Sequence, residues 1–187
     1  MKLELDFYLR NDVISISREL IGNYLFTSIG GEVTGGRILE TEAYRGPDDR
    51  ASHAYNNRRT KRTEVMFHKG GICYVYLCYG IHNLLNIVTN QKDIPHAILI
   101  RAIEPCDGIP TMLKRRKKTK IDKTVASGPG SVAQALGVSR KLNGVSLLQN
   151  TIWIEKGTPL SNIQATSRIG VDYAGEDALL PWRFYAG

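Results

Sequence analysis

Two patterns in the sequence predict an α+β fold, an antiparallel sheet with helices set to one side. Strand-like runs follow one another through short glycine turns, and few helical periods separate them. No internal repeat or low-complexity stretch divides the 187 residues, so residues 1–187 are read as one domain. A chain 42% hydrophobic and 23% charged is ordinary globular, not disordered, collagen-like or disulfide-rich.

Asn11-Asp12 caps a helical period with Val13, Ile16 and Leu20 facing inward, ended by Gly22. Asn23 to Thr27 alternates as a strand, Gly30-Gly31 turns, and Val33 to Tyr44 is a longer strand broken by Gly46-Pro47-Asp48-Asp49. Ala51 to Glu64 is polar and basic without a strong period, a loop or short helix. Gly70-Gly71 opens the most apolar strand, Ile72 to Tyr79; Gly80 turns it and Leu84 to Thr89 returns. Ala97 to Ile103 is a further strand, stopped by Pro105. Ile109 to Lys118 reads as a helix with Met112 as its apolar contact, and Pro129 stands where a helix's first turn tolerates it. Ile152 to Glu155 is a short strand; the tail Arg168 to Tyr185 is mixed, and Pro181 argues against a central strand there.

The longest apolar run, Ile72 to Ile81, is about half the roughly 20 residues that a spanning helix needs. The opening Met1-Lys2-Leu3-Glu4-Leu5-Asp6 is acidic where a signal peptide needs an apolar core. A soluble cytoplasmic protein that does not engage a membrane is expected. Cys73 and Cys78, five apart on a strand, stand roughly 16 Å from each other, too far for a disulfide. Cys106 is alone and no Cys/His ligand spacing occurs, so the cysteines are read as reduced and no structural metal is expected.

Lys and Arg number 25 against 18 Asp and Glu, a net charge of +7. The excess is clustered. From Met112 to Lys123, seven of twelve residues are basic, Lys117 and Lys118 at the centre. Arg58, Arg59, Lys61 and Arg62 form a second cluster. Either alone fits a solvated face or a mobile loop equally well. Two in one small domain point to a polyanion, and to nucleic acid above an anionic membrane, because no bulky amphipathic helix accompanies them.

In Gly36-Arg37-Ile38-Leu39-Glu40-Thr41-Glu42-Ala43-Tyr44, a period of two puts Ile38, Glu40, Glu42 and Tyr44 on one face. The two carboxylates then lie roughly 6.5 to 7 Å apart. That spacing suits activation of a water at a sugar carbon, and like charges so close raise one pKa, as a general base requires. From the strand alone, a wet face decorated with glutamate is the plainer reading. Arg101 and Asn86 interrupt apolar strands; a buried Arg101 needs a carboxylate or phosphate, for which Glu40 or Glu42 could serve, and Asn86 could pin a turn. His53 after the acidic turn is more often a structural hydrogen-bonder. Tyr74 fits core packing. Tyr79, beside Gly80, can stand at a hairpin tip, where an aromatic ring is a poor core residue and a good wedge.

Taken together these segments resemble the alkyladenine (methylpurine) DNA glycosylase family. The resemblance runs in order through Gly36–Tyr44, Gly46-Pro47-Asp48, Ser52-His53-Ala54, Arg58-Arg59-Thr60, Met66-Phe67, Tyr74–Leu77, Tyr79-Gly80, Leu85-Asn86-Ile87, Leu99–Ala102, Glu104-Pro105, Ser127–Gly130 and Gly170–Gly175. It implies a curved, mostly antiparallel sheet, a compact bacterial-type protein acting near the nucleoid as a monomer, and damaged double-stranded DNA as partner. It implies hydrolytic removal of alkylated or deaminated purines without metal or redox cofactor. By the same resemblance Glu42 is the general base and Arg101 its supporting cation. Tyr44, His53 and Tyr76 wall the flipped base, Asn86 crowds the amino group of guanine, and Tyr79 is the wedge. Arg58, Arg59, Arg62, Lys117 and Lys118 are the expected phosphate contacts. Asn56-Asn57, Lys61 and His68-Lys69 depart from the family's loop pattern. A non-catalytic nucleic-acid-binding domain and a glycosidase using Glu40 and Glu42 on a free sugar are the competing readings.

Overall fold

The computed structural model describes all residues, 1–187. Helices α1 (Leu5–Tyr8) and α2 (Val13–Leu20) precede strands β1 (Tyr24–Ile29) and β2 (Glu32–Arg45). Two 3₁₀ turns, Tyr55–Asn57 and Glu64–Phe67, lead to β3 (Ile72–Cys78), β4 (His82–Thr89) and β5 (His96–Asp107). Helices α3 (Ile109–Arg116) and α4 (Pro129–Ala135) follow, then β6 (Ile152–Glu155), β7 (Ile163–Thr166) and β8 (Arg183–Ala186). All pairings are antiparallel, in the order β3-β4-β5-β2-β1-β6. The fourteen-residue β2 organises the sheet: β1 pairs its first half, β8 pairs Glu40–Glu42, and β5 runs along its other edge.

Alternation along the strands gives the sheet two unlike faces. One carries Ile38, Ala43, Cys73, Val75, Leu85, Ile87, Ile98 and Ile100 into a core of 28 buried residues with Ile16, Leu20, Met112, Val132 and Leu136 of the helices. The Asp12 side chain accepts from the Ile14 and Ser15 N–H groups and so caps α2. The opposite face holds a smaller cluster, Ala54, Met66, Phe67, Tyr74, Val88 and Ala97, covered by loops. Helices therefore pack to one side, as expected.

Three local readings change. Ile38 does not share a face with Glu40 and Glu42. It stands opposite Ile103 while Glu40 stands opposite Ala102, so Leu39 is an inserted residue that inverts the alternation. The next step compensates, Thr41 facing Ile100, and the carboxylates turn away from the helix-covered core. Pro105 does not stop β5, which runs to Asp107; the proline sits opposite Gly36 at a register shift, where a missing N–H is tolerated. The tail does carry a strand flanked on both sides: β8 begins two residues after Pro181 and pairs with β2 and with β7, which precedes Arg168, both β7 and β8 being too short at four residues to give a period.

Candidate active site

A cavity of about 520 Å³ opens on the loop-covered face. Strands supply Tyr44, Tyr74, Tyr76, Asn86, Leu99 and Arg101 to its lining. The loops add Ser52, His53, Arg62 and Ile169, and the 3₁₀ helix Asp172–Leu179 adds Tyr173. Tyr76 and His53 meet edge to face, with ring centres 4.7 Å apart and planes at 76°. Tyr74 and Tyr76 lie 5.4 Å apart. His53 Nδ1 is 3.0 Å from the Tyr74 hydroxyl. Burial, helped by the Arg62 and Arg58 charges, lowers the His53 pKa to about 4, so the ring is neutral at neutral pH. Tyr74 is 2% exposed, as the core reading had it, and its hydroxyl also orients His53 on the cavity wall. Asn86 is 3% exposed and donates to the carbonyl of Tyr74, its cross-strand partner, at 3.2 Å. It thus pins the strand pair and lines the cavity at once.

Glu42 is 0% exposed. One of its oxygens accepts from the Tyr44 hydroxyl at 2.7 Å. The other accepts from the Ile169 amide at 2.8 Å and lies 3.4 Å from Arg101 Nη1. Burial, then the charge of Glu42, holds the Tyr44 pKa well above its ordinary value, so the phenol stays protonated and donates. Arg101 Nε donates to Glu40 at 3.0 Å, and Arg183 reaches the same Glu40 oxygen at 3.0 Å. Arg101 thus bridges the two carboxylates, of which Glu40 is the outer one. Glu42 stands behind the lining: Tyr44, Arg101 and Ile169 separate it from the cavity.

At the cavity mouth Tyr79 is 91% exposed. It and Gly80 turn the β3–β4 hairpin with φ of 49° and 69°, and the Ile81 N–H closes the turn on the Cys78 carbonyl at 3.0 Å. A left-handed φ suits glycine and strains tyrosine. The ring is thus displayed outward by a conformation it does not favour.

The basic residues divide. Arg58 and Arg62 are exposed, and Arg62 lies over the Tyr76 ring at 4.8 Å, on the rim. Arg59, expected on phosphate, clasps Glu64 at 2.7 Å and Asp93 at 2.8 Å and so ties its loop to the β4–β5 turn. On the second cluster Arg115 and Arg116 turn inward. Arg115 donates to Thr34 and the Ala135 carbonyl, Arg116 to the Val125 carbonyl. Lys118 pairs with Asp122 at 3.0 Å, whereas Lys114, Lys117, Lys120 and Lys123 face solvent. No helix is long and apolar enough to cross a membrane.

Residue-by-residue reading missed the Ile169 amide, Arg183 and the buried Arg168–Asp49 pair. Ile169, Arg183 and Arg168 sit on the tail, whose short strands and turns carry no periodic signal, and Asp49 stands 119 residues before its partner.

Fold and cavity define an α+β protein with a cage of aromatic rings beside a buried carboxylate. Similarity supplies the family. The family model described as methylpurine-DNA glycosylase (MPG) matches residues 6–187. A Chlamydia pneumoniae protein provisionally named 3-methyladenine DNA glycosylase is 49% identical over 183 residues, covering 97% of this chain and 93% of its own. Proteins of the same provisional name are similar from Bacillus cereus strain B4264 (44% over 190 residues; 96% and 92%) and Natranaerobius thermophilus (41% over 193; 99% and 95%). The chain belongs to the methylpurine-DNA glycosylase family, and so to the glycosylases of DNA repair.

Proposed function

We propose that the protein removes alkylated or deaminated purines from duplex DNA by hydrolysing the N-glycosidic bond of a nucleotide flipped into the aromatic cavity. The observation that carries this reading is the setting of Glu42. A buried carboxylate accepts from Tyr44 and Ile169 and pairs with Arg101, each of which lines a cavity walled by His53 and Tyr76. Tyr79 enters the stack as the base leaves it, and the rings hold the extruded base by their faces.

Water attacks the sugar C1′ as the bond to the purine nitrogen breaks. The bonding pair leaves with the base, and Glu42 takes the water's proton. A cationic methylpurine departs neutral and needs little further help. A neutral base such as hypoxanthine needs a proton as well. Glu42 meets the water where Tyr44, Arg101 and Ile169 come together, the Tyr44 hydroxyl and the Ile169 amide fixing the direction of its carboxylate. Asn86 on the opposite strand limits what fits beside the base edge, and Arg58, Arg62, Lys117 and Lys118 meet the phosphates.

The decisive experiment measures free-base release from duplexes carrying 3-methyladenine, 7-methylguanine, hypoxanthine or ethenoadenine, lesion by lesion. Release of at least one supports the reading. Salt-steep binding of all four with release of none makes the protein a binding domain.

A further inference from the structure

Three segments of chain meet on one guanidinium. The side chains of Arg168 and Asp49 are both 0% exposed. Arg168 Nη2 donates to Asp49 Oδ1 at 2.8 Å and Nη1 donates to Oδ2, a two-pronged pair. Nη1 also donates to the Ala43 carbonyl at 2.9 Å, and Nη2 to the Asp177 carbonyl at 3.0 Å. The guanidinium carbon lies 4.8 Å from the Tyr44 ring centre and 5.1 Å from that of Trp182.

A cation this deep is unfavourable unless its donors are matched. Here both Nη atoms are matched, Nε alone being without a partner, and the matches fall on the parts that carry the cavity. Ala43 and Tyr44 follow Glu42 on β2. Asp49 accepts from the Arg45 and Ala51 amides and so shapes the turn that leads to His53. Ile169, the next residue after Arg168, gives its amide to Glu42 at 2.8 Å. Around Arg168 only Trp182 and Ala43, which meets it through its carbonyl, touch the helix-covered core.

We propose that Arg168 is a positioning residue for base release: it tilts Tyr44 and seats the Ile169 amide, and through both it aims Glu42 at the water. The proposal rests on Glu42 being the base. A misplacement of about 1 Å in such a group lowers a rate roughly 100-fold. Lysine keeps the charge but has neither the planar fork nor the stacking face, so Arg168→Lys loosens the arrangement without removing the cation.

The test is single-turnover base release from a duplex methylated with dimethyl sulfate, at rising enzyme concentration, with binding of an abasic-analogue duplex measured alongside. Arg168→Lys is expected to lower the saturating rate by about 10- to 100-fold while half-saturation and abasic-duplex affinity stay within threefold. A destabilised fold with an intact site, assayed well below its melting temperature, would not split rate from binding in this way. Asp49→Asn breaks the pair from the other side, carries the same expectation, and serves if the lysine variant does not fold. A saturating rate within fivefold of wild type, or a loss confined to binding, overturns the proposal. Glu42→Gln run in parallel separates the two failures. An active Glu42→Gln overturns the assignment of Glu42, whereas an inactive one beside a fully active Arg168→Lys overturns the role of Arg168 alone.

Discussion

On β5, Ile98 and Ile100 point into the core beneath the helices, while Leu99 and Arg101 face the cavity between loops. β2, β3 and β4 repeat the division: Ala43 against Glu42 and Tyr44, Val75 against Tyr74 and Tyr76, Leu85 and Ile87 against Asn86. Apart from a few bonded hydroxyls such as Thr41 against Ser17, the helix-covered face is filled with side chains that need only be apolar and of the right size. The loop-covered face adds groups that need partners: a carboxylate with two donors and a cation, a histidine held by a tyrosine, an arginine shared by two glutamates. Packing tolerates substitution by volume, whereas a buried polar group tolerates only what keeps its hydrogen bonds. Damage to one face should therefore appear as lost stability, and damage to the other as lost chemistry.

Glu42→Gln is the largest expected effect. Its amide oxygen can still accept from Ile169, and its NH₂ can turn to the Tyr44 hydroxyl, which accepts instead; Arg101 keeps Glu40. The fold and abasic-duplex binding should survive while base release falls by about 100- to 10,000-fold, the usual loss of a general base. Release within tenfold of wild type in a single-turnover assay moves the role to Glu40. Glu40→Gln, which loosens Arg101 and Arg183 without touching the inner carboxylate, should be milder.

Neighbours on β5 give the most direct contrast between faces. Ile98→Ala opens a cavity in the core and should cost about 2–5 kcal/mol in denaturant unfolding, with the release rate per folded molecule unchanged. Leu99→Ala removes a side chain 4% exposed on the cavity wall, opposite Glu42 on one strand and Asn86 on the other. It should alter the ratio of lesions released and lower stability less. If both variants change stability alone, the division between faces is wrong.

Much of this was legible because a strand's period of two is visible without partners. The alternation of Tyr74 and Tyr76, the isolated Arg101 within an apolar run, and the glycine beside Tyr79 each reported a real placement. What failed to show is what depends on distant chain. The inserted Leu39, which turns the carboxylates from the core, leaves no mark in composition. Arg168 and Asp49 are 119 residues apart, so neither looks buried until the tail folds back. The basic run misled differently: a charge count cannot see that Arg115 and Arg116 direct their donors to carbonyls at the α3–α4 packing.

Tyr79→Ala tests the cavity face at its outer edge. With the ring 91% exposed, no core packing is lost, and the melting temperature should stay close to wild type. Stacking is worth about 1–3 kcal/mol per base, so duplex release should fall roughly tenfold or more, and release from single strands less, since they have no pairing to overcome. Tyr79→Gly sharpens the point. Glycine relieves the left-handed strain at φ 49° and should raise stability slightly while losing the same activity. Equal losses on duplex and single strand would remove the wedge.

The smallest expected effect concerns the two basic clusters, which look alike in sequence and differ in the fold. Each phosphate that a cation neutralises contributes about −0.9 to the slope of log K against log salt. Lys117 ends α3 in a left-handed cap, exposed, with its N–H tied to the Leu113 and Lys114 carbonyls, so its ammonium is displayed from a fixed backbone. Lys118 must first leave Asp122, an exposed and solvent-screened partner, so its pairing with a phosphate adds less net affinity. Lys117→Ala should therefore flatten the slope by roughly one phosphate's share and Lys118→Ala by no more, with the ratio of lesions released unchanged in both. On the rim, Arg62→Ala should flatten the slope too but also disturb lesion preference, because its guanidinium covers the Tyr76 ring at 4.8 Å. Slopes measured on undamaged and lesion-bearing duplexes decide the matter. A slope untouched by either lysine but lowered by Arg58→Ala and Arg62→Ala would confine the DNA to the cavity rim and leave the α3 run as a solvated end of its helix.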